Sequence, residues 1–330
     1  MINNKIITCI CKKGTSQFII PIIDYLSIKI KIGFIEYSTK ANYIAQVFSS
    51  DIIFVEWATA AAKFISKIKR KHQFFIIRLH RYEFKDEKLM NSIKWQNVDL
   101  LIFVNDSLRK EFNKQYPNVK TLTIPNAVDC QKFRLTKRTK KNTLLTYSMH
   151  FTELKAYYEL IKVFKRIISL DSNYHLTIAT QKPMSKEHKQ YYLKCCSLIE
   201  ELEMADYVTI ETLGPEKDAQ EKIIYLLETH NAIISFSDIE SFHYSFAEGL
   251  LSGLHGFCRG WRYPDPKEFW NKWCYTDEPS FIQGIIDWGC CNMQNRNETA
   301  KENRRYIINN FSKEIIGEKY YNHFLNNLKV

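Results

Sequence analysis

Short apolar runs recur along the chain at residues 6–11, 32–37, 52–57, 74–79, 100–104 and 121–124, then again at 143–148, 175–180, 207–213, 232–236 and 255–259. Each is bounded by polar residues and separated from the next by a stretch long enough for a helix, which predicts buried strands alternating with helices. Strands joined in this way lie parallel, in doubly wound α/β sheets. The series is interrupted once. Pro125 stops the strand before it, Asn126 favours a turn, and the basic run 132–141 that follows reads as a linker between two domains.

In an open parallel sheet, ligands bind beyond the carboxyl ends of the strands, so the residues that follow each run are the candidates for function. The run 232–236 leads into Asp238, Glu240, Ser241, Phe242 and His243, and then into a helix carrying Glu248 and Gly249. Glu240 is expected in the loop and Glu248 in the first turns of the helix, both facing the crevice. The helix start offers N–H groups to a phosphate. Two carboxylates share that place with an anion only if they grip something neutral, and the hydroxyls of a ribose or hexose fit. Ser245 and Glu248 also have the spacing of a capping box, in which Glu248 merely serves the helix start.

A helix expected over 155–170 places Lys155 near its N-terminus, where a cation gains nothing from the helix dipole; a bound pyrophosphate accounts for it. In the first half, Gly14 and Thr15 follow the first strand, Glu56 and Trp57 close the third, and His80 and Arg81 follow the fourth. The first loop has neither the glycine pattern of a dinucleotide fold nor that of a P-loop. A helical, amphipathic segment over 302–328 closes the chain.

A content of 45% hydrophobic and 14% aromatic residues in 330 is ample for two cores. No apolar run approaches the ~20 residues that span a bilayer, and the N-terminus lacks the features of a signal peptide, so a cytoplasmic location is expected. Nine cysteines without a CxxC pair, two sets of them adjacent, read as reduced and mostly buried thiols. No metal-binding motif is present, and no protein-bound metal or cofactor is expected. The formal charge of +11 admits nucleic acid, anionic lipid or phosphorylated small molecules as partners. There is no nucleic-acid recognition motif, and the basic residues are interspersed with acidic ones.

Glu240, seven intervening residues and Glu248, then Gly249 and the small-residue turn Ser252-Gly253, resemble the signature of the group 1 retaining glycosyltransferases of the GT-B fold. Ile124-Pro125-Asn126-Ala127-Val128-Asp129, followed by Phe133, resembles the end of that family's first domain. The resemblance implies two Rossmann-like parallel-sheet domains facing across a cleft: an acceptor-side domain over 1–135, a nucleotide-sugar domain over 136–305, and a helix over 306–330 crossing back to the first. It implies Glu240, His80 and Lys155 as catalytic residues. Donor contacts are implied for Glu248, Lys155, His150, Ser241, Phe242, His243, Gly214 and Arg259, with Arg262 beyond them, and acceptor-side positions for Gly14, Thr15, Glu56 and Arg81. The family places an Arg and a Lys at the strand-helix junction that opens the 155–170 helix, to hold the donor's phosphates, and Lys155 matches the Lys. Here His150 stands where the Arg is expected.

The activity so implied is retaining transfer of a sugar from a UDP- or GDP-type nucleotide diphosphate sugar to a hydroxyl of a growing, lipid-linked or free, surface glycan. The departing phosphate accepts the acceptor's proton, and Lys155 and helix N-termini neutralise its charge. An inverting GT-B epimerase fits the glutamate pair less well. The alternative from another class is a non-catalytic GT-B protein that binds a glycan or a glycosyltransferase partner, which the missing Arg and the single glycine at 14 favour. Lys67, Lys69, Arg70 and Lys71 form a cluster suited to an anionic membrane surface.

Overall fold

The computed structural model describes residues 5–260 and 265–328, so the expectation for Arg262 lies outside the described residues. The chain divides into two compact units, residues 1–129 with 310–330, and residues 130–309.

The first unit holds six strands, β1 (Ile7–Lys12), β2 (Ile32–Tyr37), β3 (Ile52–Glu56), β4 (Phe74–Leu79), β5 (Leu100–Phe103) and β6 (Thr121–Thr123). They pair in parallel in the order β2-β1-β3-β4-β5-β6. β3 and β5 are buried along their whole length, which is why their sequences are continuous apolar runs without alternation. One face of the sheet packs Ile53, Val55, Phe75, Ile77 and Phe103; the other packs Ile52, Phe54, Ile76 and Ile102. Strand order reverses between β1 and β3, the switch point at which such sheets take ligands.

The second unit repeats the plan with β7 (Asn142–Ser148), β8 (Tyr174–Gln181), β9 (Val208–Leu213), β10 (Ala232–Ser235), β11 (His255–Arg259) and β12 (Cys274–Tyr275). All are parallel, in the order β12-β11-β10-β7-β8-β9. Here the order reverses between β7 and β10.

The C-terminal segment is two helices, Met293–Phe311 and Lys313–Leu328, where the sequence predicted one. The break has a physical cause. Ser312 forms a bridge to Val128, whose N–H donates to the Phe311 carbonyl at 2.7 Å. The last helix then adds Ile316, Tyr320 and Phe324 to the core of the first unit. Among the described residues no helix is long and apolar enough to cross a membrane.

Candidate functional site

The second unit concentrates its polar groups beyond β7 and β10. β10 ends at Ser235, and the loop carrying Ser237, Asp238 and Glu240 runs to a helix over Tyr244–Leu251. The N-cap of that helix is His243, held in the left-handed region at φ 63° with no side-chain cap bond. Ser245 therefore lies inside the helix, and the capping-box reading of Glu248 fails. Glu248 instead accepts a hydrogen bond from the Tyr147 hydroxyl of β7. Burial raises its pKa, and the Tyr147 bond only partly opposes that. Gly249 fixes the helix against the strand, because a Cβ there would stand 2.6 Å from that of Ile233.

Glu240 is gripped from three sides. Lys155 Nζ forms an ion pair with its Oε1, Ser237 Oγ donates to the same oxygen at 2.8 Å, and His243 Nε2 lies 3.6 Å away. Burial acts to raise the Glu240 pKa, but the attraction of His243 and Lys155 wins and holds it at about 2. Burial pulls His243 down to about 4 despite the carboxylate. At neutral pH the imidazole is thus uncharged, and Lys155 is the cation that keeps Glu240 ionised. His243 Nδ1 is tied to Ser235 Oγ at 2.5 Å.

Lys155 does not open the helix as the sequence suggested. It ends a short 3-10 turn over Glu153–Lys155, Ala156 follows at φ 50°, and the helix begins at Tyr157. The ion pair with Glu240 accounts for the cation there. His150 is exposed just beyond β7; burial, His188 and Lys155 lower its pKa. Arg259 ends β11, stacks 4.2 Å over Phe236 and pairs with Asp238. Ser241 is half-buried in the same loop. The Phe242 ring belongs to the core, 1% exposed against Phe269 and Trp270, and its carbonyl accepts from the buried Trp270 Nε1. Gly214 follows β9 at the sheet edge, three strand spacings from β10, or roughly 14 Å.

The first unit gathers its expected residues at the β1/β3 switch point. Glu56 is fully buried; its Oε1 accepts from Arg78 at 2.8 Å and meets His80 Nε2 at 2.9 Å. Arg78 also donates to Asn126. His80 caps the short helix Arg81–Phe84: its side chain accepts from the Glu83 N–H, and the Glu83 carboxylate accepts from the His80 N–H. Both ring nitrogens are thereby engaged. Burial lowers the His80 pKa in spite of Glu56. Trp57, at φ 67°, stacks on His80 at 3.9 Å and donates its indole N–H to the Thr15 carbonyl. Gly14 is exposed at φ 80° and Arg81 is half-buried.

Sequence reasoning missed Tyr147, Ser237, Arg78 and Glu83. Arg78 carried a signal: a lone charge inside an otherwise apolar run requires a buried partner.

By sequence, no family model and no curated protein matches the chain. By structure it is similar to a glycosyltransferase from Rickettsia africae ESF-5, with 16% identity, 99% of each chain covered and a TM-score of 0.74. It is also similar to HepE of Anabaena, solved with UDP and glucose, at 12% identity over 98% of this chain and 100% of that one, with a TM-score of 0.70. A variant of TarM from S. aureus, solved in a complex that includes UDP, has 18% identity and a TM-score of 0.63 over 82% of this chain, which spans 54% of TarM. The chain has the GT-B fold of these glycosyltransferases.

Proposed function

We propose that the protein is a glycosyltransferase that takes a sugar from a nucleotide diphosphate sugar and passes it, with retention, to a hydroxyl of a glycan or glycolipid acceptor. The observation that carries this reading is the pairing of Glu240 with Lys155 at the switch point of the second sheet. An ionised carboxylate there accepts hydrogen bonds from sugar hydroxyls, while the ammonium beside it draws a phosphate. Glu248 takes the ribose diol. The complexes of HepE and TarM with UDP favour a uridine donor. Binding of UDP, GDP, CMP and ADP, followed by calorimetry, tests the reading. Glu248→Ala is expected to weaken nucleoside diphosphate binding, whereas Glu240→Gln lowers turnover with less effect on affinity. Unchanged affinity in Glu248→Ala sinks the assignment. His150 assists the pyrophosphate only when protonated, so affinity falls as pH rises, and His150→Arg flattens the profile.

The non-catalytic reading has one observation in its favour: both ring nitrogens of His80 are already engaged. Hydrolysis or transfer of the sugar from a bound donor, followed by release of UDP, decides between the two.

Lys67, Arg70 and Lys71 are the cations offered to an anionic membrane surface, each contributing about 1 kcal/mol. Lys69 leaves the cluster, being paired to Asp99 at 2.5 Å with its side chain 10% exposed. Flotation with anionic but not neutral vesicles, lost in the triple Gln variant and at high salt, is the expected result.

A further inference from the structure

All nine cysteines are free thiols. Four are buried, three half-buried and two exposed, so fewer are sealed than the sequence suggested. One pair differs from the rest in its placement. Cys258 on β11 and Cys274 on β12 are direct partners across parallel strands. Neighbouring strands stand about 4.8 Å apart, inside the window of about 4.4–6.8 Å in which two Cα atoms accept a disulfide. The Cys258 thiol donates to the Arg259 carbonyl at 3.3 Å. β12 is a two-residue strand at the sheet edge, the part of the sheet with the least pairing to resist a small shift.

We propose that Cys274 and Cys258 form a peroxide-reactive pair, in which Cys274 is oxidised first and Cys258 resolves it to a disulfide. The roles follow from access. Cys274 is half-buried whereas Cys258 is sealed, and a redox-sensing thiol is typically an accessible one with a resolving partner beside it. The neighbouring Cys258, with Lys267 nearby, also lowers the Cys274 pKa, while burial raises that of Cys258. In the first step the Cys274 thiolate attacks a hydroperoxide, breaking the O–O bond and giving a sulfenic acid and an alcohol or water. In the second the Cys258 thiol attacks that sulfur, the S–S bond forms and water leaves. The peroxide is reduced by two electrons, and the two sulfurs together supply them.

Oxidation here reaches the Glu240 loop. Cys258 is the strand partner of Ser235; Ser235 holds His243 at 2.5 Å, and His243 stands 3.6 Å from Glu240. The disulfide draws β12 toward β11, shifting the strand frame that holds the His243 cap.

The test uses the full chain with Cys290→Ser and Cys291→Ser to remove the exposed thiols. After hydrogen peroxide, proteolysis without reductant is expected to yield a peptide joining Cys258 to Cys274, lighter by two hydrogens and split by dithiothreitol. In Cys258→Ala the link is absent and dimedone labels Cys274. A Cys274 that stays reduced, or passes to sulfinic acid without forming the link, overturns the pair. Amide exchange over residues 236–243 is expected to rise severalfold on oxidation and to stay unchanged in peroxide-treated Cys274→Ser, whose melting temperature checks its fold. Equal exchange before and after oxidation overturns the coupling. A severalfold loss of UDP affinity on oxidation rests on the function proposed above. Failure of both redox forms to bind UDP, with link and exchange change present, supports the pair and counts against that function alone.

Discussion

Both sheets place a carboxylate and a cation at the point where strand order reverses, yet the two crests are built in opposite ways. Glu56 and Arg78 are fully buried, and the carboxylate meets only Arg78 and a neutral His80. Glu240 and Lys155 keep 13% and 21% of their side chains exposed, within reach of a ligand. A sealed ion pair whose remaining contacts are all internal fixes geometry. A carboxylate–cation pair left partly open can exchange a partner for a substrate group. On the function proposed above, the first crest serves as scaffold for Trp57 and His80, and the second as the place of chemistry.

The largest expected effect tests that contrast directly. Glu56→Gln keeps shape and acceptor but leaves Arg78 as an uncompensated buried cation, which costs about 3–5 kcal/mol. Glu240→Gln leaves Lys155 where water reaches it, and a much smaller loss is expected. Urea unfolding of both variants decides. Equal losses erase the distinction between sealed and open crests.

The pH response sharpens it further, because Glu83 and Glu240, one in each unit, are shifted in opposite directions. Burial raises Glu83, in the first unit, to about 8. It binds a proton in the folded state that the unfolded chain has released above about 4.3, so its contribution is present below that value and is lost as pH rises toward 8. Glu240 is depressed to about 2; its contribution is present above about 4.3 and is lost as pH falls through 2. Glu83→Gln is expected to remove the decline in stability on the alkaline side, and Glu240→Gln the decline on the acid side. Melting temperatures across the range measure both, and a slope that survives its substitution refutes the assignment of that group.

A third expectation concerns the second crest alone. Tyr147→Phe removes the hydroxyl that Glu248 accepts from, leaving a partly buried carboxylate short of a donor at about 1–3 kcal/mol. If Glu248 is there for a nucleoside diphosphate, adding one should restore part of the loss, since the ligand's hydroxyls replace the phenol. Recovery that is no greater than in wild type argues that Tyr147 and Glu248 serve the fold only.

The strands were legible because burial on both faces writes them as continuous apolar runs, as in β3 and β5. β12 was not, because two residues make no pattern. The loop position of Glu240 was legible from where the run 232–236 ends. Lys155 was named through the resemblance, but its bond to Glu240 was not legible: the two lie 85 residues apart, and a crossover sheet brings such residues together without leaving a trace in spacing. Tyr147 read as an ordinary strand residue, since a phenol facing a carboxylate and one packed in a core have the same sequence. His80 was found by its place after β4, but the closing of both its nitrogens depends on Glu56 and Glu83, which only the fold assembles.

The smallest effect sits beside one partner of the open crest, Lys155. Ala156 is held at φ 50°, ψ 38° between the turn that carries Lys155 and the helix Tyr157–Leu170. An L residue in the left-handed region costs about 1–2 kcal/mol, and glycine removes that strain while losing more chain entropy on folding, about 0.5–1 kcal/mol. Ala156 is also 2% exposed, so its methyl group contributes packing that glycine lacks. The balance favours Ala156→Gly by less than about 1 kcal/mol. The informative readout is therefore not stability but the Lys155–Glu240 pair. If the strained alanine holds Lys155 against Glu240, the glycine variant lets the ammonium move, and the acid limb of the stability profile should shift toward the ordinary carboxylate range. An unchanged acid limb with a slightly raised melting temperature would mean that the turn is fixed by its other contacts and that Ala156 only carries strain.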